Sequence, residues 1–281
     1  MTYANPEALV SAEWMGKFVA DQKVCVVDAS LPLVGTKTDM RAQYLECHIP
    51  GAMFFDIDDI ADPNSALPHM IPSEEIFAEK VAALGISNDC KVVAYDQHGI
   101  YSAARAWWMF RCFGHDNVAV LDGGLPAWRA MGYPFGVKEE APRAAEFTAT
   151  FRPELVRSVE RVLANVDSAG EQVVDARGAG RFDGTDEEPR KELRRGHIPG
   201  SLNVPYADIV ADGCMVDSKV LADAFEAGGV DPSKPIVTSC GSGITACILA
   251  LGLYLNGHED AAIYDGSWTE WGGRDDTPID T

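Results

Sequence analysis

His48-Ile49-Pro50-Gly51-Ala52 and His197-Ile198-Pro199-Gly200-Ser201 are one motif written twice. Two more motifs repeat with it. Val26-Val27-Asp28-Ala29-Ser30 returns as Val173-Val174-Asp175-Ala176-Arg177, and Leu121-Asp122-Gly123-Gly124 with Trp128 returns as Tyr264-Asp265-Gly266-Ser267 with Trp271. All three recur after a near-constant shift of about 145 residues, which means two copies of one domain rather than a solenoid of short repeats. A chain of 281 residues has room for both, and 47% apolar residues let each copy bury its own core.

Each copy reads as α/β, a mainly parallel sheet flanked by helices, because short Val-rich runs precede helical patterns. Strands are expected near 24–28, 91–95 and 118–121, and again near 172–175, 235–239 and 261–264. Ser11 and Ser73 read as N-caps of helices reaching about 20 and 84. A helix is expected over 102–112, with Trp107, Trp108 and Phe110 at core spacing. Its counterpart over 244–255 stops at Asn256-Gly257. Pro134, Pro142 and Pro153 among mixed charges mark the connection between copies. The expected boundaries are a first domain 1–137, a linker 138–157 and a catalytic domain 158–281.

The net charge of −20 argues against nucleic acid and anionic membrane as partners. It also obliges any anionic substrate to find a local cluster of Arg and backbone amides. No apolar run is long enough to span a bilayer. The first residues carry neither a secretion signal nor an Arg-rich transit pattern, so a cytoplasmic location is expected. Seven cysteines, an odd number with no C-x-x-C pair, read as free thiols rather than disulfides or a zinc site. No metal and no cofactor is expected.

The copies differ at one telling place. Ile236-Val237-Thr238-Ser239-Cys240 precedes Gly241-Ser242-Gly243-Ile244-Thr245-Ala246, whereas Val92-Val93-Ala94-Tyr95-Asp96 precedes Gln97-His98-Gly99-Ile100-Tyr101-Ser102. Cys240 and Asp96 therefore share a site at the carboxyl end of a strand, the edge where open α/β sheets bind ligands. Loop amides and the dipole of the following helix favour an anionic sulfur there, and Gly241 and Gly243 let the backbone curl. Asp96 would repel an anion, so the first copy reads as scaffold. Cys25, Cys112 and Cys247 read as buried structural thiols.

The loop Cys240-Gly241-Ser242-Gly243-Ile244-Thr245-Ala246 resembles the active-site loop of the 3-mercaptopyruvate sulfurtransferases, two-domain members of the rhodanese family. Gly180-Arg181-Phe182, Glu188-Pro189-Arg190 and the repeated His-Ile-Pro-Gly extend the resemblance over nearly the whole chain. It implies a ping-pong reaction. The Cys240 thiolate takes the sulfur of 3-mercaptopyruvate, pyruvate leaves as its enolate, and an acceptor such as thioredoxin, a low-molecular-weight thiol or cyanide removes the outer sulfur. Arg181 and Arg190, which as residues alone read as surface ion-pair formers, match the family's carboxylate-binding arginines. Gly241, Gly243, Ile244 and Thr245 match its substrate-binding loop. Ser242 with His69 and Asp58 matches a proton relay proposed for the family. His69 lies in Leu67-Pro68-His69-Met70, which reads as a loop with no counterpart in the second copy. The resemblance is departed from at Ala104, where relatives often carry Pro.

His48 and His197, like Asp28 and Asp175, recur in both copies and read as fold determinants. His115 and His258 read as turn residues. A Cys-dependent phosphatase would need an Arg just after the nucleophile, and none follows until Arg274. Thiosulfate-preferring rhodaneses carry Arg and Lys where Gly241 and Ser242 stand. A thiosulfate sulfurtransferase and a non-catalytic sulfur-relay module are the alternatives.

Overall fold

The computed structural model describes residues 2–138 and 141–281. The first copy contains β1 (Leu9–Val10), α1 (Ala12–Phe18), β2 (Val24–Asp28), α2 (Met40–Glu46), β3 (Met53–Phe54), α3 (Glu74–Ala83), β4 (Lys91–Tyr95), α4 (Ala103–Cys112), β5 (Val118–Leu121) and α5 (Gly124–Ala130). The second contains β6 (Val156–Arg157), α6 (Val159–Ser168), β7 (Gln172–Asp175), α7 (Ala179–Phe182), β8 (Leu202–Asn203), β9 (Val210–Ala211), β10 (Cys214–Met215), α8 (Ser218–Ala227), β11 (Ile236–Ser239), α9 (Ala246–Leu255), β12 (Ala262–Tyr264) and α10 (Ser267–Trp271). The strand orders are β1-β5-β4-β2-β3 and β6-β12-β11-β7-β8, the same topology twice, with every neighbour in these two sheets parallel. β9 and β10 form a separate antiparallel hairpin.

The six expected strands stand where the Val-rich runs place them. Ser11 and Ser73 cap their helices, accepting from the amides of Trp14 and Ile76. The first of these helices is shorter than expected, ending at Phe18, and α9 begins at Ala246 rather than 244 because the residues before it form the loop. The expected linker includes Glu139 and Glu140, which lie outside the described residues. Its last two residues, Val156 and Arg157, form the outer strand of the second sheet, paired with Ile263 and Tyr264.

The repeated histidines do the same work in each copy. His48 Nδ1 lies 2.6 Å from the Tyr44 carbonyl oxygen and its ring stacks on Tyr44; His197 Nδ1 lies 2.8 Å from that of Phe182 and stacks on Phe182. The repeated aspartates tie down the chain after the second strand of each sheet: Asp28 accepts from Ser30, and Asp175 accepts from Arg177. His115 and His258 close equivalent turns, their amides donating to the carbonyls of Phe110 and Leu253.

One face of each sheet has a private core: Met15, Tyr44, Leu125 and Trp128 in the first, Val162, Val173, Trp268 and Trp271 in the second. The other faces share a single apolar cluster that includes Phe77, Trp107 and Phe110 together with Leu221, Ile248 and Leu251. α4 and α9 pack on each other at its centre. A core common to both halves couples their unfolding. Trp107→Ala should cost about 3–5 kcal/mol and both domains should melt in one cooperative transition, checked by urea unfolding followed with probes in each half. Two separated transitions would contradict the shared core.

Candidate active site

β11 delivers Cys240 to the carboxyl edge of the second sheet, and β4 delivers Asp96 to the same edge of the first. Both are buried. In the first copy the loop is filled by its own side chain: the Asp96 carboxylate accepts from the amides of His98, Tyr101, Ser102 and Ala103 at 2.8–2.9 Å. Burial pushes the Asp96 carboxyl up, and the amides oppose that shift. In the second copy the counterparts of His98, Tyr101 and Ser102 are Ser242, Thr245 and Ala246. Their amides have no protein acceptor among the described residues. Equivalent loops thus turn amides inward twice, onto a carboxylate in the first copy and onto no protein acceptor among the described residues in the second, where only the Cys247 amide is met, by the Ile244 carbonyl.

The loop is held from behind. The Cys240 amide donates to Ser267 Oγ at 3.2 Å, and the Cys240 carbonyl accepts from the Trp268 amide at 2.9 Å. Both the amide and the hydroxyl of Thr269 donate to the Gly241 carbonyl. Gly243 has φ +79°, and a Cβ there would meet the Asp265 carbonyl oxygen at 2.8 Å. Gly241 has no such backbone demand; its lack of a side chain makes room for Arg181, whose Nη2 would lie 3.3 Å from an added Cβ. Cys247 faces inward, its Sγ donating to the Gly243 carbonyl at 3.2 Å. Burial, reinforced by the neighbouring Cys240, pushes its thiol well up, so it stays protonated.

Two arginines stand near the Cys240 loop, Arg181 beside Gly241 and Arg190 against Thr269, which bonds the Gly241 carbonyl. Arg181 donates through Nη2 to Glu188 Oε2 at 2.5 Å, and the buried Glu188 also accepts from Arg177 at 2.8 Å. Arg190 donates to Thr269 Oγ1 at 3.2 Å and has no carboxylate partner among the described residues. Arg194 instead ties the chain end down through the carbonyls of Trp271, Gly272 and Thr277, and Arg195 makes an exposed pair with Glu187.

The first domain supplies the other wall. His69 Nδ1 lies 2.5 Å from Asp58 Oδ1, and this hydrogen bond holds the Asp58 carboxyl below its ordinary range. Ser242 makes no hydrogen bond to His69 among the described residues, so the expected trio is assembled at His69 and Asp58 only. The His69 loop does have a counterpart, contrary to the sequence reading. Asp265 accepts from the Ile71 amide at 2.7 Å, and Asp122, its repeat partner, accepts from the Met215 amide at 2.9 Å. Each domain thus lays a loop over the other's strand edge. In the 209–216 segment the position of His69 is taken by Gly213, which packs on Gly99. Both positions have left-handed backbone, φ +62° for His69 and +79° for Gly213. The two segments stand at the same 144-residue shift as Asp96 and Cys240, but their residue types differ, so no shared motif marks the equivalence in the sequence.

Three residues of the site were not singled out from sequence. Tyr101 faces it from the first domain; burial, the nearby Tyr206 and the Cys240 sulfur together push its phenol up to about 12. Glu188 orients Arg181. Arg105 is fully buried and reaches from α4 into the Cys240 loop, donating to the Gly243 carbonyl at 3.2 Å. An Arg among Ala and Trp in an apolar helix was the available signal for it.

Comparison with known proteins agrees with this geometry. The Rhodanese-like domain family matches residues 11–131 and 158–274. The 3-mercaptopyruvate sulfurtransferase of Homo sapiens is 45% identical over 278 residues, covering 95% of this chain and 94% of that one. The thiosulfate sulfurtransferase of Bos taurus is 45% identical over 272 residues, covering 94% and 91%. The crystal structure of SseA from Escherichia coli, a 3-mercaptopyruvate sulfotransferase with the rhodanese fold, superposes with TM-score 0.86 at 38% identity, covering 93% and 98%.

Asp96 satisfies four amides at once, three of them buried. Asp96→Ala should therefore cost about 3 kcal/mol or more, read as a fall in the urea midpoint. A loss within error of zero would mean that those amides find other partners.

Proposed function

The chain belongs to the rhodanese family, and from that premise we propose that it is a 3-mercaptopyruvate sulfurtransferase carrying the transferred sulfur as a persulfide on Cys240. The observation that carries this reading is the pair of cradles. The carboxylate oxygens of Asp96 stand two bonds beyond Cβ, and so does the outer sulfur of a cysteine persulfide. Cys240 Sγ itself, one bond beyond Cβ, accepts no hydrogen bond among the described residues. The free amides of Ser242, Thr245 and Ala246 suit the outer sulfur, and their partial charges favour an anion there without reorganisation.

The reaction balances as follows. The Cys240 thiolate attacks the donor sulfur, the carbon–sulfur bond breaks, and its electron pair leaves on the pyruvate enolate. The enolate carbon then takes a proton. Arg190, without a carboxylate partner among the described residues, and Arg181, held by Glu188, grip the substrate carboxylate and stabilise enolate charge. Asp58 orients His69, and a substrate seated between His69 and Ser242 completes the proton relay. Gly241, Gly243, Ile244 and Thr245 shape the cradle. A small thiol, thioredoxin or cyanide takes the outer sulfur. The proposed division is 1–137 as the inactive domain, 138–155 as linker and 156–281 as the catalytic domain, two residues earlier than the sequence suggests because Val156 and Arg157 pair in the second sheet. The proposed setting is the cytoplasm, where seven free thiols stay reduced; no described helix is long and apolar enough to cross a membrane.

Overall similarity does not choose the donor, since relatives named for either donor are equally identical. The site favours 3-mercaptopyruvate because the Cys240 loop carries no cation of its own. Arg181 beside Gly241 supports thiosulfate as a poorer second donor. Intact-protein mass spectrometry after incubation with 3-mercaptopyruvate should show one added sulfur, mapped to Cys240. Cys240→Ser should abolish transfer from either donor, while Cys247→Ser should keep most activity. Arg190→Ala should cost about 1.5–3 kcal/mol in kcat/KM for 3-mercaptopyruvate without a change in far-UV spectrum. Turnover retained in Cys240→Ser would refute the mechanism.

A further inference from the structure

Arg105 is hard to explain as a packing residue. It lies in α4 with 0% exposure, and its counterpart in the second copy is Leu249, equally buried. A cation in the interior bears a large desolvation cost, and an apolar residue of similar volume usually serves stability as well or better. Leu249 does so at the equivalent place. What the guanidinium does that leucine cannot is donate in three directions. Nη1 donates to Asp265 Oδ1 at 2.5 Å and to the Gly243 carbonyl at 3.2 Å, Nη2 donates to the His69 carbonyl, and the guanidinium lies 4.5 Å from the Trp108 ring centroid.

These acceptors belong to two separate parts of the site. Gly243 is in the Cys240 loop of the second domain. His69 is in the loop that the first domain lays across it. Asp265 closes the circuit, since its other oxygen accepts from the Ile71 amide. The His69 loop is therefore clamped on both sides of Met70, at the carbonyl before it and the amide after it. That clamp bears on a strained residue. His69 has left-handed backbone, where a non-glycine residue needs support from its surroundings, and the 209–216 segment uses Gly213 at the same place.

We propose that Arg105, with Asp265, is a positioning residue that sets the His69 loop and the Cys240 loop in register across the domain interface. The assignment rests on the reading that Cys240 carries sulfur and His69 moves a proton. Arg105 touches neither the substrate nor the reacting sulfur; it fixes where the two groups that do so stand relative to one another. Substrate capture belongs to Arg181 and Arg190, so loss of Arg105 should slow chemistry while leaving capture largely intact.

The test is single-turnover persulfide formation on Cys240 in the full chain, followed by quenched mass spectrometry across 3-mercaptopyruvate concentrations. Arg105→Met should lower the limiting rate by about 100-fold, as a displacement of about 1 Å at a reacting centre does. Its half-saturating concentration should stay within about threefold. Arg105→Lys keeps the charge but cannot reach three acceptors, and it should recover part of the rate. It also serves if the Met variant does not fold. Arg111→Met is the control for a cation of the same helix. Arg111 lies 4.3 Å from the Tyr254 ring and donates to the Glu259 carbonyl, away from the site. It should lower the urea midpoint without lowering the limiting rate. A folded Arg105→Met or Arg105→Lys with the wild-type limiting rate would overturn the assignment. So would a loss that appears equally in Arg111→Met and scales with the folded fraction. A Cys240→Ser chain that still turned over would instead overturn the sulfur-transfer reading beneath it, and His69→Ala with the wild-type limiting rate would overturn the relay.

Discussion

A parallel strand that ends in a tight loop and runs into a helix leaves several backbone N–H groups pointing into one small space, and buried amides must be satisfied. Everything specific about this protein follows from how that demand is met. In the first copy the chain meets it internally, with the carboxylate of Asp96 accepting four amides. In the second copy the residue at the strand end is Cys240, whose side chain is one atom too short to fill the space. The amides of Ser242, Thr245 and Ala246 then have no protein acceptor among the described residues. A single difference at one strand end separates a loop whose amides are met by its own side chain from one whose amides are not.

The second constraint is the joint between the copies. The inner faces of both sheets bury one apolar cluster, so the domains are fused rather than tethered. Across the joint each domain lends the other a loop, and Asp122 and Asp265 receive these loops in the same way. The pseudo-symmetry then breaks on one side only. His69 stands where the other loop has Gly213, and Arg105 stands where the other helix has Leu249. Both departures face the cradle that is open. A chain of net charge −20 gathers cations there as well, with Arg181 held by a buried Glu188 and Arg190 without a carboxylate partner among the described residues. Local placement of a few guanidinium groups in a partly desolvated site outweighs a distant and screened surplus of acids.

Much of this was legible in the linear chain. The repeat, the six inner strands, the Ser11 and Ser73 caps and the place where Cys240 replaces Asp96 all rest on short-range rules: periodicity, capping chemistry and motif spacing. The two-residue strands at the sheet margins were not legible, because two residues carry no period. Gly241 and Gly243 read alike as loop glycines. Their separate reasons, room for Arg181 and a left-handed turn against Asp265, depend on neighbours far away in the chain. The match between the His69 loop and the 209–216 segment was not legible, although the two stand at the 144-residue shift of Asp96 and Cys240, because their residue types differ; what they share is an amide bonded to an equivalent aspartate across the joint.

The sequence by itself determined that there are two α/β copies, that their strand edges differ at Asp96 and Cys240, and which residue types stand ready for sulfur chemistry. Those are consequences of local conformational preference and of chemistry carried on single side chains. Only the tertiary structure decided that Asp96 satisfies its own cradle, that the loop bearing His69 crosses to the other domain, and that Arg105 in the first copy donates to both loops. Each of these is a hydrogen bond between groups separated by many residues or set by a particular loop conformation. Such bonds form only once burial of the common core has brought the two copies face to face, and burial is what makes a misplaced charge or an unmet amide costly.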